Sequence, residues 1–266
     1  MKFKVDHDYH IHTYLSACSR DPEQNIGFLI SYAKQNGIKR MCITDHFWDD
    51  AVEGPSKWYV AQNLEHIKQS LPLPEVDGLT LMFGCEGEMR QDLTLGVSRR
   101  CFDNFDMVVI PTTHMHMNGF TVSADGSESA EERAVLWVKR LDALLEMDLP
   151  FRKIGLAHLA CFLINRKSLE EYLATITAIP DGEMERLFTK VAALGAGVEL
   201  NHSDMKYALN HECVMRLFRI AKASGCKFYL GSDAHSPEDY DGFVERAERV
   251  IDALGLTEDD KFIPAG

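Results

Sequence analysis

Seven short stretches of this chain read as strands: a histidine-rich segment at residues 6–12 and six apolar runs at 38–44, 79–85, 106–113, 153–157, 197–200 and 227–231. Between them the apolar residues recur at helical spacing. Asn25 can cap a helix carried by Ile26, Leu29, Ile30 and Ala33 and ended by Gly37. Further helices are predicted over about 57–71, 129–147, 182–194, 211–224 and 242–254, with Gly195, Gly225 and Gly255 as stops. In the 129–147 helix, Leu136, Val138, Leu141, Leu144 and Leu145 are the predicted buried side. Strands too apolar to be half solvated, alternating with helices, predict an α/β protein with a parallel sheet covered by helices, folded as one domain over 1–266.

The strand ends carry the chemistry. Side chains alternate along a strand, so His10 and His12 share one face while Tyr9 and Ile11 take the other. The following runs close on Asp45-His46, Glu86-Gly87-Glu88, His114-Met115-His116, His158, Asn201-His202 and Asp233-Ala234-His235. An open doubly wound sheet also satisfies the alternation, but candidate ligands follow all seven strands, and only closure into a barrel gathers seven strand ends around one mouth. No glycine-rich nucleotide loop follows the first strand. The set His10, His12, His46, Glu86, His114, His158, Asp233 and His235 uses six of the eleven histidines, a donor mixture that suits zinc, manganese or iron.

Composition narrows the partners. A formal net charge of -13 disfavours nucleic acid and anionic membranes, and no run is long enough to span a bilayer. The first residues lack the apolar core of a secretory signal, which gives a cytoplasmic expectation. Seven cysteines without CxxC spacing read as reduced thiols, mostly core. The oligomeric state stays open.

The order His10-x-His12, Ile43-Thr44-Asp45-His46, Gly84-Cys85-Glu86, a histidine after the fourth strand, another after the fifth, and Gly231-Ser232-Asp233-x-His235 resembles the PHP (polymerase and histidinol phosphatase) family over nearly the whole chain. The resemblance implies a distorted (β/α)7 TIM-like barrel, two or three divalent ions in its mouth, and hydrolysis of phosphoric esters, as in the histidinol phosphatases. Carried over by position, His10, His12 and Asp233 hold a first ion and His114 and His158 a second, with Glu86 bridging. His46 and His235 hold a third, where Cys18 stands in a place at which many relatives have histidine or aspartate.

The favoured function is a metal-dependent phosphoesterase acting on a small phosphorylated metabolite, a phosphomonoester, through a metal-bridging hydroxide, with Glu86 and Asp233 at the centre of the chemistry. Asp45 and His202 are candidate proton donors to the leaving alkoxide, as is a metal-bound water, and Asp45 also suits orienting an imidazole. Asn201 and His202 follow strand six and can meet substrate. Of the loop cations Arg90, Arg166 and Lys167, Arg166 is the foremost candidate clamp. Glu88 is placed one step beyond the cluster and His116 on the rim, while His7, His66 and His211 read as solvated or structural. The loops at 47–57, 117–128 and 160–180 are expected to shape the pocket. The alternatives are a phosphodiesterase or amidohydrolase-like enzyme on the same centre, and a non-catalytic metal-binding regulatory module.

Overall fold

The computed structural model describes residues 1–265. Its strands are β1 (His7–Ile11), β2 (Arg40–Ile43), β3 (Thr80–Glu86), β4 (Met107–Pro111), β5 (Ile154–Ala157), β6 (Gly197–Asn201) and β7 (Lys227–Gly231). They lie in sequence order in one sheet, each parallel to the next. The helices are α1 (Ile26–Asn36), α2 (Leu64–Ile67), α3 (Ala130–Leu145), α4 (Leu169–Ala178), α5 (Asp181–Leu194), α6 (His202–Ala208), α7 (Glu212–Ala223) and α8 (Phe243–Leu254). The seven predicted strands are present with small shifts at their ends, and no helix is long and apolar enough to cross a membrane.

The sheet curls until β7 meets β1. At the mouth the seam is closed by backbone: Asp233 N–H donates to the His10 carbonyl (2.8 Å) and His12 N–H to that of Ala234 (3.1 Å). Deeper in, side chains take over, since Ser232 N–H donates to Asp8 Oδ1 (2.9 Å) and Leu230 N–H to His7 Nε2 (3.0 Å). His7 is therefore a structural residue of the seam.

Tyr9, Cys42, Met107, Val109, Ala157, Tyr229 and Phe262 pack together, and side chains from five strands can meet only on the inner surface of a closed barrel. At Gly155 a Cβ would come within 2.5 Å of the Tyr229 hydroxyl, so glycine there makes room for the large ring. Outside the barrel Val108, Ile110, Leu156, Val198 and Leu230 belong to the main core with Trp137, Leu141, Phe188, Phe218 and Val250 of the helices.

Four details differ from the sequence expectation. The β1–β2 register shifts between Asp8 and Ile11, so strict alternation fails: Tyr9 joins the barrel interior, whereas Ile11 packs outward with Leu29 and Ala33. The helix predicted over 57–71 shrinks to α2, because Asn63 caps it by accepting from His66 N–H. The preceding residues form turns that swing Trp58 and Tyr59 toward the mouth. Residues 169–178, assigned to a loop, form α4 behind an N-cap at Ser168. Finally, α3 is rotated: Leu136 and Val138 are only half buried, and Arg133, Trp137 and Arg140 face inward with Leu141, Leu144 and Leu145.

Candidate metal centre

The strand ends bring His10, His12, His46, Glu86, His114, His158, Asp233 and His235 around one point at the mouth. The Nε2 atoms of His10 and His12 are 3.2 Å apart, and Asp233 Oδ1 lies 3.4 and 3.2 Å from them. Glu86 faces both ways. Its Oε2 is 2.8 Å from His46 Nδ1, 3.3 Å from His12 Nε2 and 3.6 Å from His10 Nε2, while its Oε1 is 3.3 Å from His158 Nε2 and 3.8 Å from His114 Nε2. Four overlapping trios have donor atoms all within 4.8 Å of one another: His12, His46 and His235; His10, His12 and Glu86; His10, His158 and Asp233; and Glu86, His114 and His158.

These atoms fit divalent cations. Glu86 Oε2 and His46 Nδ1 are buried and 2.8 Å apart, yet neither has a hydrogen-bond partner. Buried polar atoms that converge this closely without an aligned hydrogen bond are the arrangement a shared cation satisfies. Burial pushes the Glu86 and Asp233 carboxyls up, but the imidazoles, His46 and His10 foremost for Glu86 and His10 for Asp233, hold both well below the usual range. Burial and the neighbouring histidines hold His114 down to about 3 and His235 to about 4, so both rings are neutral and free to ligate near pH 7.

Outward-facing atoms fix the rings. His10 Nδ1 meets Glu199 Oε1 (2.9 Å), His114 Nδ1 meets Glu88 Oε2 (2.7 Å), His158 Nδ1 meets Thr113 Oγ1 (3.1 Å), and His235 Nδ1 meets the Asp233 carbonyl (2.8 Å). Glu199 and the Asp233 carbonyl accept, so Nδ1–H of His10 and His235 donates outward and, in the neutral ring, leaves the Nε2 lone pair facing the centre. His12 Nδ1 meets Ser16 Oγ (2.9 Å), whose own hydroxyl donates to Asp45 Oδ1 (2.7 Å). Asp45 also accepts from Thr13 N–H and Oγ1–H, so it acts on His12 through Ser16.

Glu199 was not singled out in the sequence, although a carboxylate in the middle of an otherwise apolar strand was the available signal. It is fully buried and also accepts from His158 N–H. His158 and Asp233 hold left-handed backbone, φ 28° and 55°, uncommon for residues with a Cβ and a recurrent mark of functional sites.

A cavity of about 640 Å³ opens over the donors, walled by Trp58, Tyr59, Met117, Phe120 and Leu163, with Lys57 beside them. Cys18 lines it too, but it belongs to none of the four trios. Asn201 caps α6 and reaches Glu199 (3.3 Å) and Asp233 (3.5 Å). His202 lies across Asp233 in a separate polar cavity of about 350 Å³, its Nδ1 2.8 Å from Arg246; burial and that guanidinium hold it down to about 4. Arg90 turns to Asp92 (3.1 Å), packed against Gly54. Arg166 and Lys167 line a neighbouring cavity that shares His116 and Asn118 with the first. His66 meets the Leu15 carbonyl (2.8 Å), and His211 precedes α7. Turns, rather than the helix predicted over 57–71, present Trp58 and Tyr59 to this wall.

No protein-family model and no curated protein matches the sequence. Among solved structures, the chain is similar to a histidinol phosphate phosphatase from Lactococcus lactis subsp. lactis complexed with zinc, L-histidinol and phosphate, at 15% identity and a TM-score of 0.62 over 97% of this chain and 98% of that one. It is also similar, at 16% identity and a TM-score of 0.44, to the metal-dependent tyrosine phosphatases YwqE of Bacillus subtilis and CpsB of Streptococcus pneumoniae, over 95% of this chain and 89% of that one. The first likeness establishes the fold, a TIM-like barrel of seven parallel strands shared with that histidinol phosphate phosphatase.

Proposed function

We propose that this chain is a metal-dependent phosphoesterase of the PHP type that hydrolyses a small phosphomonoester at a di- or trinuclear centre of zinc, manganese or iron. The observation that carries the reading is Glu86: one buried carboxylate turns its two oxygens to two different sets of imidazoles, as a bridging ligand must. The zinc and phosphate in the histidinol phosphate phosphatase that shares the fold support it.

In this reading His10, His12 and Asp233 hold one ion and His114 and His158 a second, with Glu86 spanning both. His46 and His235 hold a third, with Cys18 the nearest thiol. Divalent ions there supply Lewis acidity toward phosphate oxygens and lower the pKa of a coordinated water. The chain's own side chains do the rest. Glu199, Ser16, Glu88 and Thr113 keep the rings aimed, Asp45 is a positioning residue for His12, and Asn201 steadies Asp233. Trp58, Tyr59 and Phe120 shield the site and offer stacking surface to an apolar leaving group. His202 is neutral at pH 7 and serves as an acceptor beside Arg246 rather than as a standing acid. A cytoplasmic setting accords with seven cysteines that are all unpaired.

The test is initial rate against pH for protein loaded with zinc, manganese or iron, with p-nitrophenyl phosphate and its bis ester in parallel and metal content measured on the same sample. At least two ions per chain are expected, with chelator-sensitive turnover of the monoester that rises from about pH 6 to 8. Turnover of the diester alone, or a flat profile indifferent to chelator, overturns the assignment.

A further inference from the structure

Beside the metal cavity, and sharing His116 and Asn118 with it, lies a concave site of about 330 Å³ whose other walls include Arg133, Asn165, Arg166 and Lys167. No carboxylate lines it, in a chain whose net charge is -13. Its three cations are held differently. Arg133 is buried, with its guanidinium committed to the carbonyls of Met115 and Ile164 and to Glu128 (3.1 Å). Lys167 Nζ donates to the Glu128 carbonyl (2.8 Å). Arg166 is exposed and has neither an ion pair nor a side-chain hydrogen bond among the described residues. On the border with the metal cavity, His116 Nδ1 is buried without a partner, its ring 5.2 Å from that of His114.

A free guanidinium in a concavity without acids favours a planar or tetrahedral anion, which it can grip through two N–H groups at once. Its place is beyond the donors: Arg166 lines the second cavity and not the metal cavity itself. Building on the phosphatase reading, we infer that this second cavity receives an anionic group at the far end of the same substrate, so that the substrate is a phosphomonoester whose alcohol carries a carboxylate or a second phosphate. Met117, Phe120 and Leu163 then cover the carbon skeleton between the two charges. The unpartnered His116 nitrogen sits where the two cavities join and can meet a polar atom of that skeleton.

The experiment compares 4-(carboxymethyl)phenyl phosphate with its carboxamide, which has the same shape and no charge, and with the corresponding phosphonate, which separates a carboxylate preference from a phosphate preference. The acid or the phosphonate should exceed the amide in kcat/KM by about tenfold, mostly through KM, as one charge-assisted contact gives. Arg166→Gln should bring the ratio close to one and Arg166→Glu should invert it. A wild-type ratio near one overturns the inference, as does an Arg166→Gln variant that slows all three esters by the same factor, the result expected if Arg166 grips the transferred phosphate. Calorimetric binding of 4-hydroxyphenylacetate against its amide gives a readout without turnover. If no ester is hydrolysed but the acid binds in preference and Arg166→Gln removes that preference, the anion site stands and the phosphatase reading falls; equal binding of acid and amide removes the site.

Discussion

On the β1–β7 side of the mouth the donors are tied to the sheet: His10 lies in β1, and His12 and Asp233 follow β1 and β7 by one and two residues. His10 and Asp233 are joined through backbone (2.8 Å), His12 is tied to Ala234, and Glu199, itself in β6, holds both the His10 ring and the His158 backbone. On the β3–β4 side His114 and its partner Glu88 lie beyond the strand ends, and their turns are held by arginines of α3. Arg140 donates to the carbonyls of Met89 (2.8 Å), Thr112 (2.6 Å), Thr121 (3.2 Å) and Arg90 (3.3 Å), and Arg133 to those of Met115 and Ile164. One half of the centre inherits its rigidity from the sheet. The other half borrows it from two buried charges on a neighbouring helix, which can be removed without touching a strand.

Glu86 belongs to both halves, so Glu86→Gln has the largest expected effect: elemental analysis should show ions lost from both sides and activity at background. Retention of metal by one side alone would show the halves to be independent centres. Next, Arg140→Met leaves several buried carbonyls without donors and should cost about 3 to 5 kcal/mol in denaturant unfolding, with metal lost first from the His114 side. Equal loss from both sides would erase the distinction drawn above.

Each half also buries a carboxyl held up to about 7 by desolvation, Asp8 in the seam and Glu88 beside His114. Such a group keeps its proton in the folded chain over a range where the unfolded chain has released it, so its contribution to stability falls as pH rises from about 4 to 7. Asp8→Asn should flatten that fall, leaving the variant more stable than wild type at pH 7 by on the order of 2 kcal/mol and without that advantage at pH 4. Parallel stability curves for the two proteins would deny Asp8 this role.

Smaller still, Glu199→Gln and Glu88→Gln should each weaken metal binding about 10- to 100-fold on its own side, read by chelator competition. Cys18→Ser has the smallest expected effect, at most about a twofold change in occupancy of the His46–His235 position, because the thiol lies outside every donor trio. A large loss of metal would make Cys18 a full ligand.

The same division governs what could be read from the sequence. Strand ends were legible, because each apolar run stops at a histidine or carboxylate, and the inner donors could be named one by one. Arg133, Arg140 and Glu199 were not, since hydropathy counts an arginine on a helix as surface, and only the packed structure shows α3 turned so that two of them satisfy carbonyls of the mouth loops. Tyr9 was assigned to the wrong face because period-two reasoning has no term for a register shift. Trp58 and Tyr59 fall inside the helix predicted over 57–71, while the cap that begins the real helix lies at Asn63.

The left-handed backbone at His158 and Asp233 bears on how such a chain can change over time. A side chain held there costs on the order of 1 kcal/mol relative to glycine, so glycine at either position would relieve the backbone while removing a donor from the mouth. A lineage under no pressure to keep these two donors would be free to drift toward glycine at both positions.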